Sequence, residues 1–128
     1  MNLLLDTHAF VWWRDDPEKL SSGAFDAISA PENGVFISTA TVWEIQIKLA
    51  LGKIKLKWPL KDSIAVERKA NRFRILPVSL EHALYIDKLA MIHKDLFDRM
   101  LIAQAMVEGL TIISRDAHFS NYGVKLLW

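Results

Sequence analysis

The stretch Asn2-Leu3-Leu4-Leu5-Asp6-Thr7-His8 decides the fold: three consecutive leucines are followed at once by a carboxylate. The run has the length of a strand. Apolar side chains on both of its faces imply burial on both faces, as in the strands of a parallel sheet. Working outward, residues 7–13 read as a short helix that ends near Asp15-Asp16-Pro17, and a second helix runs from Ser21 or Ser22 to Ala30. Pro31-Glu32-Asn33-Gly34 is a turn, and residues 35–37 are a second strand. A helix from Thr39 or Thr41 stops at Gly52, and Pro59 starts another over residues 60–72. Residues 74–76 form a third strand, a helix covers 79–90 and a loop holds 91–94. Asp95 caps a helix that Gly109 ends, before strands at 110–114 and 124–128. Strands alternating with helices predict an α/β fold, a central parallel β-sheet flanked by α-helices. Neither an internal repeat nor a Pro-, Gly- or Ser-rich linker interrupts the pattern, so residues 1–128 are expected to form a single domain.

Composition narrows the function. With 52% apolar residues and 24% charged ones, the chain can fill a core and lacks the signature of disorder. Sixteen basic residues against fifteen acidic ones give a net charge of +1, which argues against a protein that coats nucleic acid by bulk electrostatics. A nucleic-acid enzyme remains open, because local charge outweighs the total. Cysteine is absent, which excludes disulfides and thiolate metal sites. No basic leader precedes the leucines and no apolar run reaches the length of a membrane span. A soluble, cytoplasmic protein without membrane contact is expected.

The acids carry the functional argument. Ligands of an open parallel sheet bind beyond the carboxyl ends of its strands. Asp6 directly follows the first strand, and Asp116 lies two residues after Ser114 at the end of the fourth. Glu44 is expected in the first turn of the helix after the second strand, and Asp98 in the first turn of the helix leading into the fourth. A helix antiparallel to its strand starts at the strand's carboxyl end, so all four acids are predicted at one edge. Asp98 heads an apolar stripe of Leu101, Ile102, Ala105 and Met106, and Glu44 heads Ile47 and Leu51. Each acid alone has a structural explanation: Thr41 to Glu44 matches a capping box, Asp95 to Asp98 a cap with a first-turn acid, and Asp6 and Asp116 turn residues.

Convergence gives them chemistry. Two carboxylates ~5 Å apart repel by roughly 3 kcal/mol at an effective dielectric of 20. A divalent cation removes that conflict, and oxygen-only ligands select Mg²⁺ or Mn²⁺ over zinc.

These segments resemble the four motifs of the PIN-domain family. Leu3-Leu4-Leu5-Asp6-Thr7-His8 is similar to the first, Ser38-Thr39-Ala40-Thr41-Val42-Trp43-Glu44-Ile45 to the second, His93-Lys94-Asp95-Leu96-Phe97-Asp98-Arg99-Met100-Leu101-Ile102-Ala103-Gln104-Ala105 to the third, and Ser114-Arg115-Asp116 to the fourth. The resemblance spans essentially the whole chain. It is nearest to the VapC-type toxins of type II toxin–antitoxin pairs. It implies a PIN-like fold and a Mg²⁺- or Mn²⁺-dependent endoribonuclease, with RNA as substrate, a cognate antitoxin as partner and a homodimeric assembly. The family's four acids fall on Asp6, Glu44, Asp98 and Asp116, as catalytic and metal-binding residues. Two departures stand out: Leu96 replaces a common proline, and Arg115 replaces a small residue beside Asp116.

Several neighbours complete the expected site. The hydroxyls of Thr7 and Ser114 lie beside carboxylates whose rotamers they can fix. Arg99 and Arg115 suit either phosphate or a salt bridge to the acids. His8 and His93 are read as polar scaffold, His82 and His118 as surface residues. Lys53, Lys55, Lys57 and Lys61 form the one basic run, a solvated face or an RNA guide. Trp12, Trp13, Trp43 and Trp128 are expected in the core or a dimer interface, leaving Trp58 as the base-stacking candidate. Two rival readings exist. A phosphatase with an Asp6 nucleophile needs an acid where His8 stands. A non-catalytic interaction module would keep the electrostatic cost of the acids without using them.

Overall fold

In the computed structural model, which describes residues 1–92 and 95–128, Leu3, Leu4 and Leu5 are completely buried. The twofold period of a strand divides them between two faces. Leu3 and Leu5 join a cluster with Phe10, Ile37 and Ile113, whereas Leu4 joins one with Ile102, Ile112 and Phe119. Each buried leucine contributes about 2 kcal/mol. The strand that carries them is therefore the centre of the molecule.

That strand, β1 (Asn2–Leu5), pairs in parallel with β2 (Gly34–Ser38) on one side and β4 (Thr111–Ile113) on the other. With β3 (Arg74–Leu76) and β5 (Leu126–Leu127) the sheet has five parallel strands in the order β3-β2-β1-β4-β5. The helices are α1 (Thr7–Asp15), α2 (Ser22–Ser29), α3 (Thr39–Ala50), α4 (Leu60–Ala70), α5 (Leu80–Tyr85) and α6 (Leu96–Glu108). Phe10, Ala24, Ile45 and Leu60 bring α1 to α4 to one face of the sheet, and Leu101, Ile102 and Ala105 bring α6 to the other. The chain grows from β1 toward β3 and then returns to place β4 on the opposite flank of β1. The direction reverses between β1 and β4, and their carboxyl ends form the crevice where ligands of such sheets bind.

The helix ends follow their capping residues. Ser21 accepts the Ala24 N–H at 3.0 Å, and Asp95 accepts the Asp98 N–H at 2.9 Å. Gly109 ends α6 at φ 68°, a left-handed conformation that glycine adopts without strain.

Five sequence expectations change. The Thr41–Glu44 capping box does not form: Ser38 caps α3 by accepting the Ala40 N–H, which moves Glu44 to the second turn. The buried face of α3 is Ala40, Thr41, Glu44 and Ile45, while Leu51 is 62% exposed. Similarly, Met106 lies outside the buried stripe of α6. His82 is buried rather than superficial. Its Nδ1 accepts the Ser79 N–H while Ser79 Oγ accepts the His82 N–H, so imidazole completes a capping box usually closed by Glu or Gln. The helix expected over residues 79–90 is α5 followed by a 3-10 turn, Ile86–Lys88.

Candidate active site

The carboxyl ends of β1 and β4 each deliver an aspartate. Asp6 follows β1 and caps α1, its Oδ1 accepting the Ala9 N–H at 2.8 Å. Asp116 follows β4 and caps the 3-10 segment Ala117–Tyr122, its Oδ1 accepting the His118 N–H at 3.0 Å. A hydrogen bond from the Asp6 N–H to the Ile113 carbonyl, 3.1 Å, locks the two strand ends in register. Asp6 and Asp116 open into one cleft of about 260 Å³, completed by His8, Trp12 and Arg115.

Ser114 lies buried between the two aspartates. Its hydroxyl donates to the Asp6 carboxylate and accepts the Asp116 N–H at 3.0 Å. Burial pushes the Asp6 carboxyl above its ordinary range, against the opposing pull of the Ser114 and Ala9 hydrogen bonds and of His8. The nearby Glu44 charge adds to the upward push. A cation in the cleft would reverse that balance.

Glu44 reaches the same region from α3. Its Oε1 accepts the Thr7 hydroxyl at 2.5 Å and its Oε2 pairs with Lys48 Nζ at 2.7 Å. Thr7 follows Asp6 directly, so the first strand end connects to both other elements. Lys48 is a site residue missed by the sequence reading; the acid–base spacing of four on one helix was the available signal. Asp98 stands half-buried in the first turn of α6 and is not among the residues lining the aspartate cleft. An edge-to-face contact of 5.4 Å between Trp43 and Phe97 joins the residues that immediately precede Glu44 and Asp98.

Among the described residues, no three carboxylate or imidazole side chains are gathered closely enough to form a metal shell. The cleft instead offers the carboxylates of Asp6 and Asp116, with the His8 ring at its wall. That set fits Mg²⁺, which keeps several waters and is usually held by one or two protein carboxylates.

The arginines separate. Arg99 is buried and donates to the Ala90 carbonyl at 2.9 Å and toward the Tyr122 hydroxyl at 3.5 Å, tying the loop ahead of α6 to the segment after β4. Arg115 is exposed at the cleft, its Cζ 5.0 Å from the centre of the Trp12 ring. Lys57 is a staple: its N–H and Nζ bind the Asp15 carboxylate and carbonyl at 2.9 and 2.6 Å. Trp58 lies under the Arg14 guanidinium. Trp43, expected in the core or a dimer interface, is not in the core: it is 65% exposed. The expectation for His93 falls outside the described residues; His118 is exposed as expected.

The PIN domain family model matches residues 3–125. Similar solved structures include VapBC2 from Rickettsia felis bound to a DNA fragment from its promoter, with a TM-score of 0.74, 18% identity and coverage of 99% of this chain and 98% of that one. FitAcB from Neisseria gonorrhoeae matches with a TM-score of 0.64 and 23% identity over 98% of this chain and 96% of that one. VapBC-1 from nontypeable Haemophilus influenzae matches with a TM-score of 0.64 and 18% identity over 99% and 97%. At these identities the likeness establishes the fold. No curated protein matches the sequence.

Proposed function

The chain belongs to the PIN-domain family, and from that premise we propose that it is a Mg²⁺- or Mn²⁺-dependent endoribonuclease acting as the toxin of a type II toxin–antitoxin pair. One observation carries the reading: Asp6 and Asp116, from the ends of adjacent strands at the reversal point of the sheet, share one cleft. The toxin–antitoxin assignment draws on fold-level likeness to a toxin–antitoxin complex from Klebsiella pneumoniae, with a TM-score of 0.62 and 19% identity. The whole of residues 1–128 is read as one PIN domain.

In this reading Asp6 and Asp116 would hold the ion in the cleft, and Asp98, which lies outside the cleft lining, would reach it through water. When bound, the metal supplies an acidified water and neutralises charge on the phosphodiester oxygens. Glu44, held at both oxygens by Thr7 and Lys48, orients the water or takes its proton. Ser114 fixes the rotamer of Asp6 and the backbone of Asp116. Arg115 meets the phosphate. Arg99 supports the segment around the site rather than the substrate.

The apolar groove of about 550 Å³ between α3, α6 and the residues flanking α5, where Trp43, Val78, Ile86, Leu96, Phe97 and Met100 lie, supports a homodimer. The antitoxin is assigned the acidic edge, where it would block the cleft. Among the described residues no helix is long and apolar enough to cross a membrane.

Incubation of the protein with RNA tests the reading. Cleavage is expected with Mg²⁺ or Mn²⁺, to be abolished by chelation, and to leave 5′-phosphate and 3′-hydroxyl ends. Products ending in 2′,3′-cyclic phosphate refute the mechanism. An acyl-phosphate trapped on Asp6 would favour the phosphatase instead.

A further inference from the structure

Beside His8, the cleft is lined by two pairs of residues. The end of β1 and helix α1 supply Asp6 and Trp12; the segment after β4 supplies Asp116 and Arg115. Arg115 follows Ser114 and precedes Asp116, in a cleft with two carboxylates, where an arginine would be expected to bridge to them. It does not. Among the described residues its guanidinium makes neither an ion pair nor a hydrogen bond with a carboxylate, and it lies over the Trp12 indole.

The indole is itself held from two sides. Trp128 packs against it with ring centres 5.9 Å apart, and His8, one turn earlier on α1, with ring centres 5.4 Å apart. Trp12 is half-buried and Arg115 exposed, so the anchored partner is the ring. The attraction between guanidinium and ring uses the π face and leaves the N–H donors unspent on acids.

We propose that Trp12 is a positioning residue for substrate: it holds the Arg115 guanidinium at the rim, turned away from Asp6 and Asp116, with its donors available to a non-bridging oxygen of an RNA phosphodiester. The inference rests on the ribonuclease reading. It adds to that reading a device that keeps a cation beside two acids without neutralising them.

Binding without turnover tests it. A fluorescently labelled single-stranded RNA is titrated with the full-length protein in EDTA at several salt concentrations, followed by anisotropy. Arg115→Gln and Trp12→Leu are each expected to raise Kd by about 5- to 10-fold and to lower the salt slope by ~0.7, the loss of one phosphate contact on a single strand. Trp12→Phe keeps a π face and is expected to bind like the wild type. The double variant Trp12→Leu/Arg115→Gln is expected to bind no worse than Arg115→Gln alone. Wild-type binding by Trp12→Leu overturns the proposal, and so does an additive double variant, which would mean that Trp12 meets RNA independently. Arg115→Gln alters an exposed side chain and decides the matter if Trp12→Leu unfolds: an unchanged Kd and salt slope overturn the proposal. A wild type that binds RNA in EDTA but leaves it uncut in Mn²⁺ refutes the ribonuclease reading, separately from these binding outcomes.

Discussion

The Thr7 hydroxyl donates to Glu44 Oε1 at 2.5 Å, across 37 positions of sequence, and both residues are buried. The bond ties the end of β1 to α3 and presents Glu44 beside Asp6. Thr7→Val keeps the shape and removes the donor, leaving a buried carboxylate oxygen without it. A loss of about 1–2 kcal/mol in urea unfolding is expected. RNA cleavage is expected to fall by about 10- to 100-fold, as it does when the partners that orient metal-site groups are removed.

Asp6 makes stability depend on pH in a defined direction. Its folded carboxyl titrates above the unfolded value of 3.8, chiefly because of burial. Below 3.8 both states are protonated and the group is neutral in the balance. As pH rises from 3.8 through the folded value, the unfolded chain ionises first, so stability is lost in that window. Asp6→Asn is therefore expected to melt higher than the wild type above the window, and the difference should shrink toward pH 3.8. Mg²⁺ should raise the wild-type Tm and leave that of Asp6→Asn unchanged. Thermal melts between pH 3 and 8, with and without Mg²⁺, measure both effects.

Away from the cleft, Glu67 fastens α4 to α1. It is buried and accepts from Trp13 Nε1 at 2.7 Å, Arg14 at 2.7 Å and Asn71 at 2.8 Å. Glu67→Ala strands the Arg14 guanidinium, a loss expected to cost about 3 kcal/mol. Chemical denaturation reads the loss. Metal binding by the folded fraction should be unaffected.

The parallel sheet was legible because its strands are written as short apolar runs, above all Leu3-Leu4-Leu5, and because caps such as Ser21, Asp95 and Gly109 mark helix ends locally. Asp6 and Asp116 could be assigned to one edge because each directly follows a strand. Long-range choice of partner, by contrast, is set only by tertiary packing. Ser38 and Thr41 can both cap α3, and only packing against the sheet selects Ser38 and sets Glu44 one turn deeper. His82 looked superficial because its burial depends on α5 docking against α6. Trp12 reads as a core residue by composition, yet its position six residues after the Asp6 cap brings it to the cleft wall. Arg99 and Arg115 are alike in sequence context, and only tertiary structure commits the first to Ala90 and Tyr122 and the second to an indole.

Trp43 and Phe97 mark the expected dimer face. Trp43 is 65% exposed, and Leu96 beside it is 79% exposed. Sedimentation should give a dimer for the wild type. Trp43→Asp is expected to sediment as a monomer with an unchanged circular-dichroism spectrum.

If the ends of β1 and β4 hold a divalent ion, a crystal structure of the protein grown in Mn²⁺ will locate it there. An anomalous peak is expected about 2.0–2.2 Å from carboxylate oxygens of both Asp6 and Asp116, lost in Asp6→Asn. A peak bound only elsewhere, or none at saturating Mn²⁺, would contradict that placement.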